Sequence, residues 1–405
     1  MENVNYKKLN RSINIYPIFY GLTADLIFWI AIDTLFLTTV KNLSASQINS
    51  IDAISTIVGI IFQIILVKIV RKIGNLNSVK LGVTLLFVSV LLNTISTNYI
   101  GFLIAELCYV IGFVFKHMDN VILIKNLKYL NRSEEYINYQ TKGSTIYSLI
   151  TLFISIISGF MFNINPYIPM IICLLVCFIN IILTNFIYEV PISFDESEVI
   201  ESNYTKNNFS KKIILMIILY GLFYAMICCG QKNSKLFIQF DLQNLLKIDK
   251  VAIYMSAFIF ISRISRLLSN LLFLKIYNRY KEKMLYIFEF GLVLAFISLL
   301  VGHFIGSIYG VYIMALGFFM FLFIRDLFDN FMRKMLFENS SEKVHDKIVN
   351  YINLTRKIFT LIYSTIVASM LIKLNYVYVM SLLLILSISF IVIIYKVYRL
   401  VREKK

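Results

Sequence analysis

The feature that most constrains this chain is a succession of long apolar runs, each bounded by a short polar or basic stretch, from residues 14–40 near the start to 377–396 near the end. A helix needs roughly 20 predominantly apolar residues to cross the hydrocarbon layer, where every backbone N–H and C=O must be satisfied within the segment. The apolar fraction, 59%, exceeds the roughly half that is usual in water-soluble domains, so the expected solvent is lipid. Runs at 14–40, 50–70, 78–97, 99–124, 142–163, 166–188, 212–232, 251–274, 284–303, 306–330, 357–376 and 377–396 predict an all-α integral membrane protein with twelve transmembrane helices. Local breakers separate them: Gly74-Asn75 after the second run, Asn165-Pro166 between the fifth and sixth, and Pro191 after the sixth.

The loops between the runs alternate in charge. Lys7, Lys8 and Arg11, then Arg71 and Lys72, Lys125 and Lys128, Lys211 and Lys212, Arg279 and Lys281, Arg333 and Lys334, and finally Arg399 and Arg402 fall on every second loop. The opposite loops are expected to hold only Lys41, Lys373 and a group around Lys232, Lys235, Lys247 and Lys250. Cations mark the cytoplasmic side, so both termini are expected there and the number of spans is even. The same bias explains the net charge of +16 without nucleic acid, because no basic domain lies outside the apolar runs. The first run is long and lacks a small-residue cleavage pattern, so it is expected to stay as a span rather than be removed as a signal peptide. Heavy use of Ile, Asn, Lys, Phe and Tyr suggests an AT-rich genome, and a bacterial cytoplasmic membrane is the expected location.

A repeat divides the chain. The first copy reads Asp119-Asn120, Lys125, Asn131, Ser133-Glu134, Tyr136-Ile137-Asn138 and Lys142. The second reads Asp329-Asn330, Arg333-Lys334, Asn339, Ser341-Glu342, Tyr351-Ile352-Asn353 and Arg356-Lys357. Such duplication in a membrane protein predicts two related bundles around a central site. The expected boundaries are an N-terminal bundle over 1–190, a polar, locally acidic cytoplasmic linker over 191–211 and a C-terminal bundle over 212–405 with a basic tail facing anionic lipid.

Ionisable residues at membrane depth cost roughly 2.5–3.5 kcal/mol each, so they usually face a cavity or a partner. They lie in the first run (Asp25, Asp33), the fourth (Glu106, Lys116, His117, Asp119), the eighth (Arg263, Arg266) and the tenth (Arg325, Asp326, Asp329). On one continuous helix, Asp25 and Asp33 lie about 80° and about 12 Å apart. Asp25 is the first candidate for a proton-coupling carboxylate, with Asp33, Glu106 and His117 beside it; the competing reading of Asp25 is an ion pair with Arg263, Arg266 or Lys116. Arg263 and Arg266 share a helix face and either grip an anionic group of the substrate or pair with Asp25, Asp33 or Glu106 across the halves. Tyr220, Tyr224 and Gln231 recur at helical spacing and, with Lys116 and Arg325, complete the substrate-binding candidates. Asp119, Asp329 and Arg333 are assigned to gating or structure, with Asp119 expected beside Lys125.

Six spans, a linker and six more, with basic loops after the second and eighth spans, resemble the major facilitator superfamily. Arg71-Lys72-Ile73-Gly74-Asn75 occupies the place of that family's loop signature, and Asn278-Arg279-Tyr280-Lys281 the equivalent place in the second half. The signature's carboxylate is replaced by Arg71 and by Asn278. The resemblance implies two pseudo-symmetric six-helix bundles, gating or structural roles for Arg71, Lys72, Gly74 and Arg279, and a cavity lined by spans 1, 4, 7 and 10 with spans 3, 6, 9 and 12 facing lipid. The runs without central charge, the third, sixth and twelfth, follow that scheme.

The function expected is secondary active transport by alternating access, as proton-coupled efflux of an amphipathic small molecule. An ion-coupled uptake symporter and a non-transporting sensor on the same scaffold are the alternatives. Partners are then the substrate, protons or another coupling ion, and the bilayer, and a monomer is expected. No phosphate-binding Gly-x-x-x-x-Gly-Lys motif occurs, so direct use of ATP is not expected. His117, His303 and His345 are scattered, and Cys108, Cys173, Cys177, Cys228 and Cys229 lie inside apolar runs without metal-ligand spacing. No enzyme activity, metal or cofactor is therefore expected.

Overall fold

Helices make up the regular structure of the chain in the computed structural model, which describes residues 5–190, 210–340, 345–373 and 375–402; among these there is no strand. Among the described residues, ten helices are long and apolar enough to cross a membrane, and two shorter apolar helical segments, Trp29–Val40 and Ile168–Thr184, accompany them. The chain clusters into two compact units. One comprises Met1–Leu43 with Ile54–Glu196, the other Ser44–Ala53 with Ser197–Lys405. The linker expected over 191–211 lies outside the described residues except at Ser210 and Lys211.

The first unit holds α1 (Tyr6–Thr23), α2 (Trp29–Leu35), most of α3 (Ala45–Ile73), α4 (Asn75–Ile95), α5 (Tyr99–Lys116), α6 (Met118–Tyr129), α7 (Tyr136–Ile164) and α8 (Ile168–Thr184). Leu9, Ile13 and Tyr16 of α1 pack with Leu123 and Leu127 of α6, and Phe19 packs with Val79 and Val83 of α4.

The first span is not the single helix the apolar run predicts. It begins at Tyr6, breaks between Ala24 and Phe28, and resumes as α2 and a π-helical turn over Phe36–Val40. Asp25 lies at the break, where its Oδ1 accepts the N–H of Leu26 at 2.8 Å. A short carboxylate competes in this way with the helical ladder. Phe28 then adopts φ 73°, a conformation that side chains other than glycine rarely take. A broken helix needs other donors for its freed carbonyls at membrane depth. Asn180 of α8 supplies one to the carbonyl of Leu22 at 3.1 Å. The 80° angle between Asp25 and Asp33 therefore does not apply. The fourth run is likewise divided at His117, into α5 and α6.

Between α3 and α4 the turn is Gly74 alone, at φ 82°, a backbone conformation that glycine adopts without a Cβ penalty. The carboxylate missing from the loop signature is supplied from elsewhere. Glu189 accepts from the Asn75 side chain at 2.6 Å and from the backbone N–H of Leu76 at 3.2 Å, and it pairs with Lys125 at 3.3 Å. An anion at a helix N-terminus satisfies backbone donors and opposes the helix dipole.

The second unit holds α9 (Lys211–Leu245), α10 (Ile248–Tyr280), α11 (Met284–Ile305), α12 (Ile308–Glu338), α13 (His345–Lys373) and α14 (Tyr376–Arg402). Stacked and edge-on rings fill its core: Phe223 lies 4.5 Å from Phe328, and Phe296 lies 4.9 Å from Phe321. α9 runs well past the expected end at 232, so Lys232 and Lys235 are helical rather than in an external loop. Their neighbours explain the extension. Lys232 pairs with Asp52, Asn49 donates to Asn233 at 3.1 Å, and Ser46 donates to the carbonyl of Ala368 at 2.8 Å, which is why Ser44–Ala53 clusters with this unit.

Candidate functional site

In the first unit, acids converge on the break. Tyr109 of α5 donates to Oδ1 of Asp25 at 2.9 Å, and Glu106, one turn earlier on the same helix, lies within the electrostatic reach of Asp25 and Asp33. Asp33 accepts the N–H of Thr34 at 2.6 Å. All three carboxylates are half-buried. The break therefore presents Asp25 at an end of the backbone ladder rather than on a helix flank. Glu106 thus faces both Asp25 and Asp33, and Tyr109 is bonded to Asp25, which gathers three carboxylates and a phenol around the break. Among the described residues, no group of three or more His, Cys, Asp or Glu side chains is placed to hold a metal ion.

Lys116 has a different fate from the one expected of a substrate contact. It is fully buried, 3.0 Å from Asp119, and its ammonium lies 4.8 Å from the ring centre of Tyr20. A lysine taken out of water needs such a counter-charge; Asp119 provides it, and so pairs with Lys116 rather than with the expected Lys125. His117 is exposed at the joint between α5 and α6, with its ring 6.0 Å from that of Phe113.

In the second unit a carboxylate of the same unit engages Arg266, one of the expected arginine pair. Arg266 of α10 donates to Oδ2 of Asp326 at 2.5 Å, while Arg325 donates to Oδ1 of the same carboxylate at 3.1 Å. The reading in which Arg266 pairs with an acid of the other half gives way to a pair inside its own unit, because α12 carries Asp326 onto α10. Arg263, three residues earlier, also has interaction partners. Through Nη1, Arg325 donates to the side-chain carbonyl of Gln231 on α9 at 2.9 Å. Tyr220 is fully buried and donates to Asp329 at 2.6 Å, where Arg333 also donates at 2.8 Å. Tyr224, Cys228 and Gln231 form a half-buried stripe on α9, since residues four and seven apart share a helix face.

The side chain of Arg71 lies outside the described residues. Lys72 is exposed beside Gly74, and Arg279 lies over the ring of Tyr280 at 5.5 Å. An apolar groove of about 530 Å³ on the second unit, lined by residues such as Ile287, Phe290, Leu294, Leu316, Phe319 and Phe323, contains none of the charged candidates.

Matching arrangements in the two units give the repeat a structural meaning. Tyr16 and Tyr20 lie 5.9 Å apart on α1, and Tyr220 and Tyr224 lie 5.5 Å apart on α9. The first tyrosine of each pair donates to the repeated Asp-Asn motif, Tyr16 to Asn120 at 2.8 Å and Tyr220 to Asp329 at 2.6 Å. The second carries a cation over its ring: Lys116 over Tyr20 and Arg356 over Tyr224, the latter at 5.2 Å. Arg356 belongs to the repeat but not to the substrate-binding candidates. Its signal was the paired cation after Tyr351-Ile352-Asn353.

No protein-family model matches the sequence, and no curated protein matches it significantly. Solved structures do. A bacterial homologue of the iron transporter ferroportin, in an inward-facing state, is 14% identical, with a TM-score of 0.69 over 98% of this chain and 100% of that chain. The nucleoside transporter NupG is 12% identical, with a TM-score of 0.73 and coverage of 98% and 100%. A bacterial homologue of the human lysosomal transporter Spinster, inward-facing and occupied, is 12% identical, with a TM-score of 0.63 over 98% and 96%. With a helical membrane chain matched end to end by such transporters, this protein has the fold of the major facilitator superfamily.

Proposed function

We propose that the chain is a secondary active transporter that exports an amphipathic small molecule in exchange for protons, by alternating access between two six-helix bundles, 1–190 and 212–405, in a bacterial cytoplasmic membrane with both termini inside. The observation that carries this reading is the group of Asp25, Asp33, Glu106 and Tyr109 at the break of the first span. Carboxylates are costly at membrane depth, and a broken helix there is stable only where its freed backbone finds partners, as at Asn180. A site able to change protonation is what a proton-driven carrier requires. Aromatic side chains and mixed charge in the second unit suit a ligand with an apolar body and a polar end.

The test is flux in proteoliposomes under an imposed pH gradient. Substrates are expected to move with the gradient and to stop when an uncoupler dissipates it. Asp25→Asn is expected to abolish gradient-driven flux while sparing exchange of substrate across the membrane. Coupled flux that survives Asp25→Asn unchanged removes Asp25 from the coupling role, and an absence of gradient-dependent flux over a broad substrate panel overturns the reading.

A further inference from the structure

We propose that the second unit contains a binding subsite for an organic anion, a carboxylate or a phosphate, bracketed by Arg325 and Arg356 over the Tyr224–Cys228–Gln231 face of α9. Arg356 stands over the Tyr224 end of this stripe at 5.2 Å from the ring centre, and Arg325 holds Gln231 at the other end at 2.9 Å. Cys228 lies between them along the helix face and feels both guanidinium charges more strongly than the carboxylates of Asp326 and Asp329. An anion resting over Cys228 is therefore flanked by two donor forks, the geometry in which arginine recognises planar oxyanions.

The charge balance favours an anion. In the first unit the cation over the equivalent tyrosine is neutralised, because Lys116 is paired with Asp119. In the second the nearby carboxylates are already engaged: Asp326 is shared by Arg266 and Arg325, and Asp329 accepts from Tyr220 and Arg333. Among the described residues, Arg356 forms no ion pair; it lies over the Tyr224 ring, with Asp329 within its electrostatic reach. Arg325 uses Nε and Nη1 on Asp326 and Gln231, and a guanidinium carries five N–H donors, so donors remain. Tyr224, Cys228, Gln231, Arg325 and Arg356 are all half-buried, so the stripe is open to a ligand while partly screened from water.

The transport reading is needed only to call this anion part of the cargo, and binding can be tested without it. In a variant keeping Cys228 alone, with Cys108, Cys173, Cys177 and Cys229 replaced by alanine, Cys228 reports on the subsite. A sulfonate-bearing methanethiosulfonate is expected to label it about tenfold faster than a trimethylammonium one, as two adjacent cations dictate. Benzoate and phenyl phosphate are expected to slow labelling by a neutral methanethiosulfonate several-fold, and neutral benzamide is not. Arg356→Gln, which breaks no ion pair, is expected to reduce the charge preference several-fold and to weaken the protection to the same degree. Nanodiscs of phosphatidylglycerol and of phosphatidylcholine distinguish the anion's source: protection by phosphatidylglycerol alone assigns the subsite to a lipid headgroup, and protection by benzoate in phosphatidylcholine assigns it to a soluble anion. Equal labelling by both charged reagents, with no protection in either lipid, overturns the proposal. Thermal unfolding supplies a second readout, and a benzoate shift no larger than that of benzamide, or one unchanged by Arg356→Gln, overturns it equally. A charge preference and protection found in a protein that moves nothing in proteoliposomes would uphold the subsite and reject the transport reading.

Discussion

Arg266 and Asp326 meet at 2.5 Å, joining α10 to α12, and the second oxygen of the same carboxylate is taken by Arg325. One acid therefore holds two guanidiniums. Removing it exposes both cations to an uncompensated, partly buried setting. Asp326→Asn is expected to lower unfolding free energy by about 1–3 kcal/mol, less than for a fully buried pair because Arg266 is 35% exposed. Denaturation in detergent measures this. A double-mutant cycle with Arg266→Gln is expected to return a coupling of about 0.5–3 kcal/mol, and additive single effects would show that the contact is idle.

The buried pair Lys116–Asp119 makes a sharper contrast. Asp119→Ala strands an ammonium that is fully buried beside Tyr20, at an expected cost of about 3–5 kcal/mol. Replacing both partners with apolar residues of similar volume, Lys116→Met with Asp119→Leu, removes the charge and its need together. The double variant is expected to be more stable than Asp119→Ala alone, as read by thermal unfolding of the purified protein. If it is the less stable of the two, the pair supplies more than charge balance.

How much of this was legible beforehand depended on the kind of signal. Apolar runs report lipid contact directly, so an all-helical membrane protein could be read from hydropathy, and its fold from the resemblance to the major facilitator superfamily. The break at Asp25 could not, because no proline or glycine marks it. Asn180, which takes up the carbonyl of Leu22, lies 158 residues away. Ionisable residues were also found easily, but not their partners. Arg263 and Arg266 read as a pair on one helix, whereas Asp326 of α12 claims Arg266 and Arg325 together. Glu189 was invisible as the anion at the start of α4, since it lies 114 residues from Asn75. In the sequence Arg356 is a repeat element, and only its position over Tyr224 separates it from scaffold.

Phe28 offers a test of the break itself. Its φ of 73° is strained for a residue with a Cβ, by about 1–2 kcal/mol, while its side chain is 9% exposed and contributes packing. Alanine loses the packing and keeps the strain, and glycine loses the packing and relieves it. Phe28→Gly is therefore expected to be more stable than Phe28→Ala by about 1 kcal/mol, the reverse of the usual order inside a helix. Thermal unfolding of the two variants decides it. An alanine variant at least as stable as the glycine one means that the first span runs unbroken through this point.

The position of Arg356 is set by how closely α13 approaches α9, and Gly221 fixes that distance. A Cβ at Gly221 would lie 2.8 Å from Cβ of Thr355 and 2.9 Å from its backbone carbonyl carbon, and Thr355 immediately precedes Arg356. Backbone cannot rotate away as a side-chain terminus can, so the two helices must separate. Gly221→Ala is expected to cost about 1–3 kcal/mol in unfolding free energy and to lift Arg356 from the Tyr224 ring. Gly59 provides the control, because a Cβ there would meet one methyl group, Cγ1 of Val110. That methyl can move with its rotamer, and Gly59→Ala is expected to cost less. Alongside stability, the charge preference of Cys228 labelling is expected to weaken in Gly221→Ala and to stay unchanged in Gly59→Ala. A Gly221→Ala variant as stable as Gly59→Ala, with the preference intact, would mean that helix spacing does not position Arg356.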